Sequence, residues 1–346
     1  MRTRGGPPWT AASAVVLALA TVACGGKDSG GPGTGGATCT PHGTTIQETA
    51  KNIAFASTCL AAPANQDFTI VFDNQDQPPH HPDAPPPPNC SPEEIDGLSV
   101  PTRAIRGEGS LMHHKYVVRD AQTVWTGSMN WTDDAFGLEE NAIVRLDSAD
   151  VAAAYRRDFE QLWSGGTVER SGGSGPQVTV GGALVQPYFA PRGPSLAHVA
   201  ATRLGHARHR IRVLSPVLTS GAILGTLAEF AGRASFDLVG AYDWTQMEQV
   251  QQQWAEVPAN HWKIEAWKAI APRLSGKRST PYTPESRHDY MHAKAMVADG
   301  EVLVGSYNFS RGGEENAENL LHIVDGGRAQ QMAMFAERVA ARYADD

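Results

Sequence analysis

Apolar and polar positions alternate along the chain in two rhythms, one suited to strands and one to helices, and the two take turns. Residues 67–73 (DFTIVFD), 111–118 and 123–126 are short runs rich in β-branched and aromatic residues, which suit buried strands. Residues 151–162 space their apolar side chains three and four apart, as a helix with one buried face does. The alternation then resumes, with helix over 194–208, strand over 210–218, helix over 221–231, strand over 236–242 and helix over 247–254. A strand pair at 291–297 and 301–304 and a closing helix at 328–343 complete it. Nearer the N-terminus, Thr45-Ile46-Gln47-Glu48 has the form of a capping box and predicts a short helix to about residue 57. Alternating strands and helices predict an α/β layered fold.

Two stretches interrupt the pattern. Residues 77–92 hold eight prolines and read as an irregular loop, in which His80 and His81 are solvated side chains rather than a metal site. Residues 165–182 are dense in Gly and Ser and mark the best boundary. The expected organisation is a first half over 38–164, a linker over 165–178 and a second half over 179–346.

The N-terminus has a different character. Arg2 and Arg4 precede an apolar run of small residues over 11–23, shorter than the roughly 20 residues a spanning helix needs. Residues 1–23 therefore read as a signal peptide. Its end, Thr21-Val22-Ala23-Cys24-Gly25, resembles a bacterial lipoprotein signal, with Cys24 the lipidated residue. Residues 24–37 follow as a glycine-rich tether. The expectation is an exported bacterial protein, held in the cell envelope by a lipid anchor or secreted. In that setting Cys39, Cys59 and Cys90 predict one disulfide, with Cys39–Cys59 favoured. The formal charge of −8 becomes −10 once Arg2 and Arg4 leave with the signal. An acidic balance disfavours non-specific binding to nucleic acid.

A repeat carries the chemistry. MHHKYVVRDAQTVWTGSMNWT, from Met112, matches MHAKAMVADGEVLVGSYNFS, from Met291. His113, Lys115, Asp120, Gly127, Ser128 and Asn130 correspond to His292, Lys294, Asp299, Gly305, Ser306 and Asn308. Six fixed positions agree by chance about once in 6 × 10⁷ starts at average residue frequencies. Ten residues past each asparagine come Glu140-Asn141 and Glu318-Asn319. Residues two apart on a strand share a face, so each half presents an imidazole beside an ammonium, and then a hydroxyl beside a carboxamide. Displacement at phosphorus needs a nucleophile on one side and an acid for the leaving oxygen on the other. It also needs cations around the equatorial oxygens. One half cannot supply all of this, whereas two facing halves can, with the lysines in place of a metal and no cofactor.

These motifs resemble those of the phospholipase D superfamily, and the resemblance covers the chain from about residue 67 to the end. It implies two α/β halves related by a pseudo-twofold, with the active site at their interface, in a chain that needs no second copy. It implies that His113 is the nucleophile and His292 the general acid, with Lys115 and Lys294 beside them. Ser128, Asn130, Ser306 and Asn308 would hold the phosphoryl group, and Glu140 and Glu318 would orient the histidines. Asp120 and Asp299 would hold the strand corners. The second copy has one residue fewer between its aspartate and Gly305 than the first has before Gly127. A tight turn at Asp299-Gly300 must absorb the difference, or Ser306 and Asn308 face the wrong way. The first half is also shorter before its histidine, so its opening strand–helix unit is expected to be reduced.

Other residues read more plainly. His42, His198, His206, His209 and His261 are ordinary surface or core residues, His114 and His322 are structural, and His288 belongs to the surface. Trp131, Phe136, Tyr307 and Phe309 flank the Gly-Ser-x-Asn corners, and core packing is the simpler role for them. Trp262 and Trp267 belong to a rim or an interfacial surface. The leading expectation is a phospholipase D acting on a phospholipid headgroup at a membrane. A metal-independent endonuclease and a phosphatidyltransferase of the cardiolipin synthase kind are the alternatives, and a non-catalytic envelope binding protein is the reading from a different class. Nucleic acid is a partner only under the endonuclease alternative.

Overall fold

The computed structural model describes residues 101–283 and 286–345, together with the backbone of four earlier strands. These are β1 (Ala14–Ala20), β2 (Thr45–Lys51), β3 (Ala54–Phe55) and β4 (Thr69–Asn74). The chain forms two compact units, residues 23–87 and residues 1–22 with 88–346. The smaller holds a three-stranded sheet in the order β3-β2-β4, with β2 parallel to β4 and antiparallel to β3. The helix expected at 45–57 is therefore a strand. A capping box biases one helical turn, and pairing with β4 satisfies the same backbone groups without it. The strand expected at 67–73 is β4. Cys24, Cys39, Cys59, Cys90, His42, His80 and His81, the tether and the proline-rich loop lie outside the described residues.

The larger unit repeats one construction. In the first half β5 (Tyr116–Arg119) and β6 (Thr123–Gly127) form a hairpin, followed by a short helix, Asp133–Gly137. Then come β7 (Asn141–Asp147) and a long helix, Ala149–Gly165. The short strands β8 (Gly173–Ser174) and β9 (Val178–Val180) lead into β10 (Ala183–Ala190). β11 (Arg210–Ser215), β12 (Asp237–Asp243) and β13 (Leu274–Lys277) alternate with helices Leu196–Gly205, Gly221–Ala231, Trp244–Ala255 and His261–Ile270. The construction then returns as β14 (Ala295–Ala298), β15 (Glu301–Gly305), a short helix Arg311–Glu315, β16 (Glu318–Val324) and a long helix, Gly326–Arg342. Each long helix starts under a side-chain cap. Ser148 accepts from Val151 N in the first half, and Asp325 accepts from Arg328 N in the second. Such caps stabilise a helix by about 0.5–2 kcal/mol.

The sheets are ordered β1-β7-β6-β5 and β13-β12-β11-β14-β15-β16-β10-β8, with β9 paired to β10. In each half three antiparallel strands, β5-β6-β7 and β14-β15-β16, carry the motif. The second half continues beyond β14 through β11, β12 and β13, whereas β5 is an edge among the described residues. Ala14–Ala20, inside the expected signal peptide, pairs in parallel with β7.

The halves share their core. Val124, Val144 and Leu146 of the first sheet and Val302, Val304 and Leu321 of the second belong to one buried cluster. Tyr155 and Phe335, from the two long helices, join it. Each such side chain contributes about 1.5–3 kcal/mol on burial, so the two motif-bearing sheets are fixed relative to each other. A second cluster, with Leu224, Phe230, Trp254 and Trp267, covers the other side of the larger sheet. Trp267 is thus a core residue, while Trp262 is exposed. β10 was not legible because Pro187 argues against a strand. It sits between the stretch of β10 paired with β9 and the stretch paired with β8.

Candidate active site

Each motif approaches as extended chain rather than paired strand, since the strand expected at 111–118 begins only at Tyr116. The extended chain is tied across the pseudo-twofold. His113 N donates to Ala317 O at 3.1 Å and His292 N to Glu140 O at 3.0 Å, so each histidine is stitched to the other half. Met291, just before the second histidine, donates its N–H to the buried carboxylate of Asp243 at 3.1 Å.

The side chains cross the same boundary. Glu318 Oε1, from the second half, lies 2.8 Å from His113 Nδ1. His292 Nδ1 lies 3.1 Å from Asn141 Oδ1 and 3.2 Å from Glu139 Oε2, both from the first half. With Nδ1 occupied, each ring presents Nε2 to the substrate. Lys115 Nζ donates to His113 O at 2.7 Å and Lys294 Nζ to His292 O at 2.8 Å, which folds each ammonium back beside its own histidine.

Burial is the first cause of every charge shift here. It lowers His113 against the pull of Glu318, and Lys115 and Lys294 lower it further. It holds His292 well below the ordinary imidazole range, helped by Lys294, Lys115 and His113. Lys115 is lowered to about 8 and Lys294 to about 7. That these four groups act on one another across the halves places them in one site. Crowded, desolvated cations of this kind favour an incoming anion.

The expected residues divide by role. Ser128 and Ser306 do not face substrate. Both are fully buried, and their hydroxyls donate to Asn141 Oδ1 at 2.7 Å and Glu318 Oε2 at 2.6 Å, fixing the groups that orient the histidines. Asn130 and Asn308 are only partly buried, and Asn308 lines the cavity beside His292. The missing residue before Gly305 is absorbed at the turn. Ala298 pairs with Glu301 across Asp299-Gly300, whereas Arg119 pairs with Thr123 across three residues. Asp299 takes up the strain of a positive φ (50°) and accepts from the N–H groups of Arg208, His209 and Arg210 at 2.7–2.9 Å. Burial opposes its charge, and those three N–H groups outweigh burial, leaving its carboxyl below the usual range. Asp120 does not hold a corner in the same way. It is exposed and pairs with Arg119, because no described strand lies beside β5 to receive it.

Glu140 is the main correction. It points away from His292 into a buried network with Lys277 Nζ at 2.6 Å, Arg342 at 3.2 Å and the Tyr343 hydroxyl. The reason is register. Gly127 pairs with Ile143 but Gly305 pairs with Leu320, so the first half has one residue more between its strands. Glu140 is therefore the counterpart of Ala317, and Asn141 the counterpart of Glu318. On an extended chain that one-residue step turns the side chain to the opposite face.

The remaining aromatics and histidines sort cleanly. Tyr307 and Phe309 are fully buried, while Trp131 and Phe136, expected in the core, are about half exposed. His114 packs near Asp158 (3.0 Å) and against Tyr116. His322 pairs with Glu301 at 2.6 Å. His198, His206, His209 and His261 are exposed. His288, expected at the surface, is half-buried and stacks on Tyr290, which lines the cavity with His292. Among the described residues no group of three or more His, Cys, Asp or Glu side chains is gathered as a metal centre requires.

Two His-x-Lys arms, each oriented from the opposite half around a cationic pocket, define a site of the phospholipase D class, whose members are phosphodiesterase-type enzymes. The chain belongs to that class: residues 64–163 and 201–339 match the family described as "Cardiolipin synthase, PLD-like domain". The mitochondrial cardiolipin hydrolase of Xenopus laevis is 44% identical over 62 residues, which are 17% of this chain and 30% of that protein. This chain thus spans about a third of the curated relative's length. Phosphatidylserine synthase of Haemophilus influenzae is 13% identical, with a TM-score of 0.49 over 69% of this chain and 62% of that one. Nuc of Salmonella typhimurium, a phospholipase D family member, is 19% identical, with a TM-score of 0.35 over 46% of this chain and 95% of that one.

Proposed function

We propose that this protein hydrolyses the headgroup phosphodiester of a phospholipid, leaving phosphatidate, through a covalent phosphohistidine. The observation that supports this reading most directly is the pair of imidazoles with free Nε2 atoms, one from each half, beside two ammoniums. His113 Nε2 attacks phosphorus and forms the P–N bond, while His292 gives its proton to the departing headgroup oxygen as the P–O bond breaks. Water then attacks the phosphohistidine, His292 takes its proton, and the P–N bond breaks. The roles follow from the orienting groups. A phosphorylated imidazole with Nδ1 protonated carries positive charge, which the fully buried carboxylate of Glu318 balances. His292 faces a carboxamide and Glu139, whose carboxyl is raised by burial to about 7, a setting in which a proton can be held and released. Lys115, Lys294, Asn130 and Asn308 hold the phosphoryl oxygens.

The same intermediate can pass its phosphatidyl group to an alcohol instead of water, and the cardiolipin synthase description of the matched family favours this as the second reading. We place the enzyme at a membrane outside the cytoplasm, exported by residues 1–23 and anchored through Cys24 as a monomer. The test incubates purified protein with phosphatidylcholine or phosphatidylglycerol vesicles, with and without ethanol, and separately with single-stranded DNA, all in chelator. Free headgroup with phosphatidate supports hydrolysis and phosphatidylethanol supports transfer. Nicked DNA with intact lipid would overturn the lipid reading.

A further inference from the structure

One residue after His113 the extended chain turns a side chain the other way, and His114 enters a buried polar network that no step above uses. Its Nε2 stands 3.0 Å from Asp158 Oδ2, and both side chains are buried. Tyr116 donates its hydroxyl to the same carboxylate at 2.9 Å. On its other side the ring meets Asn319 of the second half, whose Nδ2 donates to His114 Nδ1 at 3.3 Å. Thr126 and Tyr155 donate to Oδ1 of that amide at 2.9 and 3.3 Å. The pseudo-twofold puts apolar residues at the matching positions. His114 and Tyr116 correspond to Ala293 and Ala295, Thr126 to Val304 and Asn319 to Ala142. Asp158, counted from the cap of its helix, corresponds to Phe335. All five counterparts are buried. Burying polar groups costs free energy that apolar packing does not, so a network built on one side points to a task of that side.

The hydrogen bonds of this network run in one direction. An ionised carboxylate only accepts, so the ring proton of His114 lies on Nε2, towards Asp158, and Nδ1 is left as an acceptor. That acceptor turns Nδ2 of Asn319 towards His114 and Ser306. Ser306 Oγ receives two N–H groups of Asn319, the backbone N at 3.0 Å and Nδ2 at 3.3 Å. With both lone pairs taken, its own proton goes to Glu318 Oε2 at 2.6 Å, and Glu318 Oε1 faces His113 Nδ1 at 2.8 Å. Ser128, the counterpart, receives the backbone N of Ala142 at 3.0 Å, and its proton can turn to Asn141 Oδ1 at 2.7 Å or Ala142 O at 3.5 Å. A serine with that choice suits His292, which must give and take a proton in turn. Resting on the reading above, we propose that His114 is a positioning residue for the nucleophile. With Asp158 it sets the direction of the chain through Asn319 and Ser306 that holds Glu318 on His113 Nδ1 and leaves Nε2 free to attack phosphorus.

Bis(p-nitrophenyl) phosphate has a leaving group that needs no acid, so on a His292→Ala background the burst of p-nitrophenolate measures attack by His113 alone. Adding His114→Leu, which can neither accept nor donate, is expected to slow the saturating burst rate by roughly 10- to 100-fold, as a small misplacement of a reacting group does. The half-saturating diester concentration should stay as it was, because no phosphate contact is removed. His114→Gln can accept from Asn319 and donate to Asp158, and it should restore most of the rate. Should His114→Leu strand the Asp158 charge and fail to fold, His114→Leu/Asp158→Asn removes that charge, keeps an acceptor for Tyr116 and should show the same slow burst. A leucine variant that bursts at the parental rate would overturn the positioning role and leave the phosphohistidine reading intact. So would equal slowing by leucine and glutamine, which would mark His114 as packing alone. Neither burst nor phosphoryl adduct in the His292→Ala parent would sink both readings.

Discussion

Glu139 Oε2 stands 3.2 Å from Nδ1 of His292 and 3.1 Å from the Nδ2 of Asn141, so an asparagine and a glutamate together do for His292 what Glu318 alone does for His113. The carboxylate has moved two residues along the chain while its charge stays at the imidazole. Because Glu139 ionises near 7, it is charged above that pH and neutral below it. As pH falls through 7, His292 loses the charge that supports its protonated form. Glu139→Gln should remove that limb from the pH–rate profile and lower kcat by at least tenfold, within the roughly 10²–10⁴ that acid–base catalysis supplies. An unchanged profile would reduce Glu139 to a packing residue.

The converse holds for Glu140, whose buried network sits on the opposite face. Removing one partner of a buried ion pair costs about 3–5 kcal/mol, and each 1 kcal/mol moves the Tm of a chain of this size by about 2–4 °C. Glu140→Ala should therefore melt roughly 10 °C earlier, while its folded fraction keeps the wild-type pH profile. Calorimetry and initial rates below the transition check both halves of this. Loss of the pH limb in Glu140→Ala at unchanged Tm would return the orienting role to Glu140.

The contrast between these two glutamates shows where sequence reading stops. The repeat placed Glu140-Asn141 and Glu318-Asn319 at the same ten-residue spacing, yet Asn141 is the counterpart of Glu318, and Asp120 does not take the place that Asp299 takes. What the spacing could not carry is the extra residue between β6 and β7, which appears only in the ladders, as Gly127 with Ile143 against Gly305 with Leu320. The same limit hid the work of Ser128 and Ser306, since a repeated hydroxyl reads alike whether it meets a phosphate or a neighbouring carboxamide or carboxylate. Along the second half the pattern located β11, β12, β15 and the helices Leu196–Gly205, Gly221–Ala231 and Trp244–Ala255, but it left out β13 and the His261–Ile270 helix. It failed at Thr45–Lys51 and at β10, where the state is decided by a partner strand distant in sequence.

Anion binding should draw protons from solution. Lys115 and Lys294 ionise at about 8 and about 7 in the empty site, so at pH 8 the first is half charged and the second mostly neutral. A tungstate or phosphate ion between them favours the charged forms and raises both values. Titration calorimetry at pH 8 in buffers of different ionisation enthalpy should report uptake of roughly one proton per anion, by the linkage of charge to binding. Uptake should fall towards zero at pH 5.5, where both lysines are already charged. Binding with no proton uptake at pH 8 would show that the phosphate does not sit between the lysines.

The order of the two histidines can be separated with a diester whose leaving group needs no acid. With p-nitrophenol departing, His292→Ala still allows His113 to attack, but nothing takes a proton from the water that must follow. The variant should release a burst of about one equivalent of p-nitrophenolate and then stall, with the phosphoryl group on the peptide containing His113. His113→Ala should give neither burst nor adduct. Glu318→Gln leaves the developing positive charge on His113 unbalanced, so it should slow the burst itself rather than the stall. The adduct is read by mass spectrometry of a digest kept at alkaline pH, where phosphohistidine survives. If the mass instead appears on the peptide carrying His292 in the His113→Ala variant, the roles of the two histidines are reversed.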